Sequence, residues 1–245
     1  MTRGVRQIVR FNWPLYAAAG GAIGVTMGVA VLPMAANVHV LLFGAAGLAG
    51  FWLAASLAAS WFVYDQSGLM QWDWIRPALG FQPSTWINLH AGFDESTPAL
   101  RRLAGSRGRV FDFYDPTEMR EPSIERARRL ATNAVQPEPV DFRHLPAAAE
   151  TADAALLLLS AHELRSDEAR DALFGEIHRI LAPHGRAIVV EHLRNWANFA
   201  AFGPGFLHFH SRRTWHGCFE RASLAVDLEF PITPFVRIFV LRRFA

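Results

Sequence analysis

The sequence predicts an α/β fold, a doubly wound and mostly parallel sheet that follows a transmembrane helical hairpin. Two observations support this prediction. No Asp, Glu, Lys or Arg occurs from Phe11 to Tyr64, and beyond residue 84 short apolar runs alternate with helical patterns. The uncharged stretch fits two spans of roughly 20 residues each. Alternating strands and helices are typical of a sheet with helices on both faces.

Composition narrows the function classes. The 245 residues carry a formal net charge of +2, and no arginine-rich run has interleaved aromatic residues, so a nucleic-acid partner is not expected. All 24 basic residues are arginine. The single cysteine, Cys218, excludes an intramolecular disulfide and a multi-cysteine metal site.

The N-terminal residues 1–64 are predicted to be a membrane anchor, with the turn between its helices marked by Pro33 and Asn37. A signal peptide is the weaker alternative, because a second apolar segment follows directly. A soluble core would require helices that are apolar on all faces. Basic residues precede the first span and are absent from the turn, which predicts a multi-pass inner-membrane protein with both termini in the cytoplasm. These basic residues are Arg3, Arg6 and Arg10.

Small residues recur every four positions in both predicted spans and line one face of each helix. Such faces let helix backbones approach closely. They could pack within the hairpin or pair two molecules into a homodimer. The residues are Gly20, Gly24 and Gly28 in the first span, and Ala46, Gly50, Ala54 and Ala58 in the second.

Residues 65–83 are predicted to be a linker along the membrane surface, before a domain at residues 84–245. Aromatic residues surround this segment as in an interfacial belt: Trp61, Tyr64, Trp72 and Trp74. In the domain, "TWINLH", "RVFDFYD", "DAALLLLS" and "RAIVVEHL" read as strands, and two late runs as an antiparallel edge pair. Ligands bind such sheets at the carboxyl ends of the strands, where the strand order reverses. The segment "NLHAGFDEST", residues 88–97, follows the first strand and is predicted to lie there.

From Trp86 onward the chain resembles a class I S-adenosylmethionine-dependent methyltransferase. The closest stretch runs "VDFRHLPAAAETADAALLLLSAHELRSDEARDALFGEIHRILAPHGRAIVVEHL". An acidic residue precedes Leu-Pro, an Asp-led apolar strand ends near a His, and a helix, a Pro-x-Gly turn and another strand follow. The resemblance implies a Rossmann-like fold, methyl transfer and S-adenosyl-L-methionine as cofactor.

The resemblance also implies positions that bind the cofactor. Asp115 matches the carboxylate that accepts the ribose hydroxyls, with Asp112 as the rival if the strand ends sooner. Asp141 matches the residue that receives the adenine amino group, and Tyr64 lies in a segment that resembles a cap over the cofactor. The glycine loop departs from the pattern, since His90 and Ala91 precede a lone Gly92. The loop residues implied are Asn88, Ala91, Gly92, and Asp94 or Glu95 for the methionine ammonium.

Two acid–histidine pairs follow the fourth and fifth strands and are candidate bases: His162 with Glu163, and Glu191 with His192. Methyl transfer depends mainly on positioning, and a base is required only if the acceptor carries a proton. Either pair could instead be packed or capping residues. Both remain candidates.

A Phe-rich insert, "GPGFLHFHSRRTWHGCF", follows the fifth strand. Its residues His208, His210 and His216 could bind a divalent metal. The insert is interpreted instead as the cover of an acceptor pocket, and no metal is expected. Its apolar character beside a membrane anchor favours a lipophilic acceptor such as a lipid, quinone or isoprenoid.

The sequence thus predicts a membrane-anchored methyltransferase that acts on a lipophilic small molecule. The alternative is a non-catalytic, membrane-tethered binding or assembly module, which the degraded glycine loop favours. Whether oxygen, nitrogen or carbon is methylated stays open.

Overall fold

The computed structural model describes residues 3–105, 107–131 and 135–244. The N-terminal part is a helical hairpin of α1 (Arg3–Ala30) and α2 (Ala36–Trp61), and Pro33 lies in the turn between them. Within the described residues, one helical stretch, Ala36–Gln71, is long and apolar enough to cross a membrane, with a mean hydropathy of 1.9. The two helices therefore form a hairpin, as predicted. Among the described residues, only the stretch that contains α2 is long and apolar enough to be a membrane span.

The glycines of the predicted small-residue faces are not packed against other elements. A Cβ atom built at Gly20, Gly24, Gly28 or Gly50 meets no described atom within 4 Å. Ala46, on the predicted face of the second span, is buried. Pairing of two molecules through them stays a prediction.

The segment after α2 packs into the domain. It consists of a π-helical turn (Phe62–Gln66), a 3₁₀ turn (Leu69–Gln71) and the short helix α3 (Ile75–Leu79). Its apolar side chains, Trp72 among them, are buried against one face of the sheet, whereas Trp61 is 45% exposed. The expectation that residues 65–83 lie along a membrane surface therefore needs correction for Trp72, because the sheet supplies an apolar surface that covers it.

The sheet has the predicted doubly wound form. Its described strands are β1 (Trp86–His90), β2 (Gly108–Asp112), β3 (Glu138–Pro139), β4 (Ala152–Leu158), β5 (Leu181–His192), β6 (Leu224–Thr233) and β7 (Val236–Arg243). Their order is β3-β2-β1-β4-β5-β7-β6. Strands β1 to β5 are parallel, and β7 runs antiparallel to β5 and β6, so the late pair closes one edge as predicted. The order reverses between β1 and β4.

Helices cover both faces of the sheet. They are α4 (Thr97–Ala104), α5 (Pro122–Leu130), α6 (Asp167–Ile180), α7 (Trp196–Phe202) and α8 (Arg212–Arg221). Helices α6 and α8 pack on one face through Phe174, Trp215 and Phe219, whose rings contact one another. The opposite face is covered by α4 and by the segment that follows α2. The carboxyl ends of β1, β2, β4 and β5 therefore share one edge, where α7 and its insert also lie.

Candidate functional site

Hydrogen bonds among its own polar side chains hold the loop after β1 in place. The Asn88 amide donates to oxygens of Asp94, Ser96 and Thr97 at 3.0–3.1 Å. Asp94 accepts the backbone N–H groups of Ser96 at 2.8 Å and Thr97 at 3.1 Å. Burial would raise the pKa of the Asp94 carboxyl, but the hydrogen bonds from Thr97 and Ser96 hold it below its usual value. Both predicted cofactor residues, Asn88 and Asp94, thus order the start of α4.

Gly92 is the point of this loop at which Arg128 packs against the backbone. Its φ is +96°, and a Cβ atom there would lie 1.7 Å from Nη1 of Arg128. The guanidinium of Arg128 therefore fills the space that the missing side chain leaves. Ala91, also predicted at this site, is buried in the core on the face of the sheet that α6 and α8 cover. Its methyl group therefore packs within the domain.

His90 replaces a glycine of the family pattern. Its Nδ1 accepts the N–H of Gly92 at 2.9 Å, while its Nε2 is buried with no hydrogen-bond partner among the described residues. Burial lowers the pKa of the imidazole. The neutral imidazole of His90, with one nitrogen lacking a hydrogen-bond partner among the described residues, therefore lies next to Gly92.

The carboxylate at the end of β2 is Asp112. Both of its oxygens accept Nη1 of Arg128, at 2.9 and 2.8 Å, and its side chain is 11% exposed. Asp115, three residues later, accepts the N–H and the hydroxyl of Thr117, and these bonds lower the pKa of its carboxyl. The strand ends sooner than the favoured alignment with Asp115 required, so the strand-end position is occupied by its rival, Asp112.

Asp141 lies further along the same edge. It forms a β-bridge with His144, and its carboxylate accepts the N–H of Arg143 at 2.8 Å. Its side chain is 54% exposed. This position leaves Asp141 accessible to a ligand at the edge, and its predicted adenine contact stays a prediction.

Of the two predicted acid–histidine pairs, His162 and Glu163 lie 3.5 Å apart, whereas Glu191 and His192 have different partners. Glu191, fully buried on β5, accepts Nδ1 of His162 at 2.7 Å and the backbone N–H of the same residue at 3.1 Å. Burial would lower the pKa of His162, but the charge of Glu191 and the hydrogen bond to it raise that pKa to about 9. Successive strand residues point to opposite faces, which is why Glu191 contacts His162 and does not contact its neighbour His192.

His192 pairs instead with Tyr64. The Tyr64 hydroxyl lies 2.9 Å from Nε2 of His192, and the imidazole stacks on Phe209 at 4.9 Å between ring centroids. Burial, followed by the charge of His162, lowers the pKa of His192 to about 4. Tyr64 therefore lies against the carboxyl end of β5 through a partner that the sequence did not indicate, and its role as a cofactor cap stays a prediction.

The insert joins the hairpin to the strand ends. Trp52 of α2 lies edge-on to Phe199 of α7 at 5.7 Å, and a Cβ at Gly203 would meet the indole at 2.6 Å. Phe199 contacts Phe206, and Phe202 contacts both Phe209 and His192. The rings form two groups, one of Trp52, Phe199 and Phe206 beside the apolar helix, and one of Phe202, Phe209 and His192 at the end of β5.

The N-terminal helix lies over the cofactor loop, which the sequence did not predict. Phe11 packs edge-on against Phe93 at 5.0 Å, and its carbonyl accepts the guanidinium of Arg126. Asp65 accepts the N–H groups of Gly4 at 2.8 Å and Val5 at 2.9 Å, which fixes the start of α1 beside Tyr64. The uncharged pattern of this helix indicated a span and gave no signal of these contacts.

The three histidines weighed as metal ligands lie in different surroundings. His210 accepts Nη1 of Arg170 at 3.1 Å, and His216 lies 2.9 Å from Glu229. His208 instead faces His162, with ring centroids 5.4 Å apart. Over the described ranges, the set of potential ligands that comes together is His162, Glu163 and His208.

Comparison with known proteins agrees with this architecture. Residues 97–189 match the family model described as a methyltransferase domain. A SAM-dependent methyltransferase from Aquifex aeolicus superposes with a TM-score of 0.53 at 17% identity, over 72% of this chain and 93% of that one. The geranyl diphosphate C-methyltransferase of Streptomyces coelicolor A3(2), solved with Mg²⁺, geranyl diphosphate and S-adenosyl-L-homocysteine, gives 0.52 at 16% identity, over 71% and 78%. The cyclase SpnF gives 0.54 at 15%, over 74% and 83%. No match was found among the curated proteins.

Residues 97–189 therefore match a methyltransferase domain, and the chain has the Rossmann-like fold of class I S-adenosylmethionine-dependent methyltransferases. The predicted enzyme class and its cofactor, S-adenosylmethionine, are confirmed at this level. Two features of the cleft fit that cofactor: Asp112 offers a carboxylate at the end of β2, and Gly92 carries no side chain. In the structure the guanidinium of Arg128 pairs with Asp112 and fills the space beside Gly92.

Proposed function

We propose that the protein is a membrane-anchored S-adenosylmethionine-dependent methyltransferase that acts on a lipophilic small molecule. The supporting observation is the contact between Trp52 of α2 and the insert at Phe199 and Gly203. It connects the most apolar helix of the chain to the ends of β4 and β5, where acceptors meet the cofactor in this fold. An acceptor dissolved in a bilayer would reach the cleft along this path without crossing water.

The anchor in this proposal is the α1–α2 hairpin, with both termini in the cytoplasm and the domain on the same side. Large apolar side chains project outward from both helices, among them Val25 at 68%, Val40 at 71% and Leu41 at 70% exposure. Contiguous apolar surface of this kind is rare on soluble monomers and marks contact with a membrane or a partner. The bilayer is the partner that fits two long helices with no acidic residue.

Within the cleft, each residue has a proposed task toward the cofactor, which supplies the methyl group when bound. Asp112 accepts the ribose hydroxyls, because a carboxylate accepts two hydroxyl donors more strongly than neutral groups do. Gly92 allows the backbone to approach closely, and Asp141 receives the adenine amino group. Arg128 leaves Asp112 as these contacts form.

On the acceptor side, the wall consists of Tyr64, His192, Phe202 and Phe209, whose contacts are mostly aromatic. Such a wall excludes water and holds an apolar chain, so positioning supplies most of the rate. Geranyl diphosphate, the ligand of the Streptomyces coelicolor protein, illustrates an acceptor with an apolar chain and a polar end.

The test is transfer of a labelled methyl group by the full chain in liposomes made from bacterial lipid extract. We expect label from S-adenosylmethionine to enter the organic phase, and the Asp112→Ala variant to transfer less label when S-adenosylmethionine is below saturation. Trp52→Ala should lower transfer to a membrane-dissolved acceptor while leaving cofactor affinity unchanged. Label that stays in the aqueous phase would contradict a lipophilic acceptor.

The second candidate is a non-catalytic, membrane-tethered module with this fold. The observation that favours it is Arg128, which fills the space beside Gly92 and pairs with Asp112. A cleft closed in this way in every state would bind no cofactor. Calorimetry of the purified chain with S-adenosylmethionine and S-adenosylhomocysteine separates the two candidates, because only the enzyme binds both.

A further inference from the structure

Three potential metal ligands meet beside the acceptor side of the cleft. His162 and Glu163 lie on the 3₁₀ turn after β4 (Ala161–Glu163), and His208 ends the 3₁₀ turn of the insert (Gly203–His208). One ligand atom from each residue lies within 4.8 Å of the others. Nη1 of Arg165 donates to the carbonyls of both His162 and His208, which holds the two turns together.

The hydrogen bonds of His162 leave a defined nitrogen for a ligand. Its Nδ1 is held by Glu191, a fully buried carboxylate, so Nε2 points toward Glu163 at 3.5 Å. Metal-binding histidines usually donate their second ring N–H to a carboxylate or carbonyl in this manner, which fixes the ring and its tautomer. Glu191 therefore has the position of the carboxylate that accepts the second ring N–H of a metal-bound histidine.

Glu163 supplies an independent sign of a missing partner. Its Oε2 is buried and has no hydrogen-bond partner among the described residues. Leaving a buried charged oxygen unsatisfied costs free energy. A cation between Glu163 and the two imidazoles would satisfy this oxygen, and the side chains of Glu163 and His162 are only 15% and 13% exposed.

We propose that His162, Glu163 and His208 bind one divalent transition-metal ion, with Zn²⁺ as the best-fitting probe. Two imidazole nitrogens and one carboxylate oxygen, with a fourth position open, form a known catalytic zinc donor set. Ligand atoms on a tetrahedral zinc ion lie roughly 3.3–3.5 Å apart, given its bond lengths. The His162–Glu163 separation of 3.5 Å already meets this spacing, and His208, with its side chain 31% exposed, closes the remainder by rotation. Mg²⁺ prefers oxygen ligands and fits this set poorly.

The ring of His208 contacts Phe209, so the three ligands lie beside the aromatic wall of the cleft. In the proposed methyltransferase the open position on the metal would take an oxygen of the acceptor. This last step rests on the proposed function, whereas metal binding does not and is measured without cofactor or acceptor.

The test is calorimetry of the chelator-treated full chain in detergent, titrated separately with Zn²⁺ and Mg²⁺. We expect one Zn²⁺ per chain and no comparable Mg²⁺ binding. Glu191→Gln should weaken Zn²⁺ binding by about 10–100-fold, the usual cost of losing a supporting partner. Glu163→Gln and His208→Ala should weaken it further, while His184→Ala, an exposed imidazole paired with Asp153, should leave it unchanged.

A second measurement reports the geometry. Co²⁺ bound to the same ligands should give visible absorption of a four- or five-coordinate ion, and that absorption should be lost in His208→Ala. Circular dichroism verifies that each variant is folded. A folded parent chain that binds no Zn²⁺, or Glu163→Gln and His208→Ala variants that bind it as the parent does, would overturn the site. Zn²⁺ binding without methyl transfer would leave the metal site standing and reject only the proposed function.

Discussion

At the scale of residues, one arginine side chain, Arg128, occupies the predicted cofactor cleft. Arg128 crosses the space beside Gly92, pairs with Asp112, and lies 4.0 Å from the ring centre of Tyr114. The positive φ of Gly92 disfavours any other residue there, and a side chain would also displace the guanidinium. Asp112, the residue proposed to bind the ribose, is thus held in an ion pair with Arg128 in this structure.

The first prediction assigns the ribose contact. Asp112→Ala should weaken S-adenosylmethionine binding by about 1.5–3 kcal/mol, the usual contribution of hydrogen bonds to a charged group. Asp115→Ala is the matched control and should change affinity little, because Asp115 bonds within its own turn. Calorimetry measures both. A loss confined to Asp115→Ala would return the contact to the position that the sequence favoured.

The second prediction concerns Arg128 itself. Removing the guanidinium in Arg128→Ala frees Asp112 and the space at Gly92, so affinity for S-adenosylmethionine should rise about fivefold, which corresponds to roughly 1 kcal/mol. Arg129→Ala is the control, since its side chain is 71% exposed. A fall in affinity for Arg128→Ala alone would mean that Arg128 itself contacts the bound cofactor.

The end of β2 shows which part of the site the sequence could specify. Phe111 and Phe113 are both fully buried, so the alternation of "VFDFYD" continues past the last strand residue, Asp112. The strand ends because the Asp112 side chain accepts the N–H of Tyr114 and the chain turns. Periodicity predicts burial and gives no information on such a local hydrogen bond, and for that reason both Asp112 and Asp115 remained open.

At the scale of elements, periodicity predicted the sheet and both hairpin helices, while the partners of aromatic residues were not predictable. Trp72 lies in a run that resembles a membrane interface, yet it is buried by the sheet. Aromatic side chains suit either environment, because both offer an apolar surface for the ring. The His162–Glu191 pair was missed for a related reason, since it depends on the register of β4 against β5.

The third prediction concerns the start of α1. Asp65 accepts two N–H groups of its first turn, which no residue of the helix itself can satisfy. Asp65→Ala should cost about 0.5–2 kcal/mol, as loss of a helix cap usually does, and should speed hydrogen exchange at Gly4 and Val5. Thermal unfolding in detergent and exchange mass spectrometry measure the two effects.

The exposed Asp73 provides the matched control, because Asp73→Ala removes the same charge from the neighbouring segment. Gly4→Ala should loosen the same contact, since its Cβ would lie 2.6 Å from Cβ of Tyr64. If exchange at the first turn is the same in Asp65→Ala and Asp73→Ala, α1 is held by its contact with Phe93 and the cap contributes nothing.

At the scale of the whole molecule, the hairpin and the domain form a connected unit. Helix α1 contacts the cofactor loop through Phe11 and Phe93, and α2 contacts the insert through Trp52 and Phe199. A hairpin that crosses the bilayer would therefore hold the strand ends close to the membrane surface. The exposed turn of the hairpin would then lie on the side opposite the domain, since two spans return the chain to its starting side.

The fourth prediction tests this topology by cysteine labelling in intact cells. The native Cys218 gives a low background because it is buried, and burial raises the pKa of its thiol. Asn37→Cys places an exposed thiol at the start of α2, next to the turn, where the sequence had placed Asn37 in the turn itself; Glu168→Cys places one on the domain at the start of α6. A membrane-impermeant maleimide should label Asn37→Cys in intact cells and Glu168→Cys only after lysis, because the uncharged turn is exported while the arginine-flanked end stays inside. Labelling of Glu168→Cys in intact cells would reverse the orientation, and labelling of neither variant until lysis would place the whole hairpin on the cytoplasmic side.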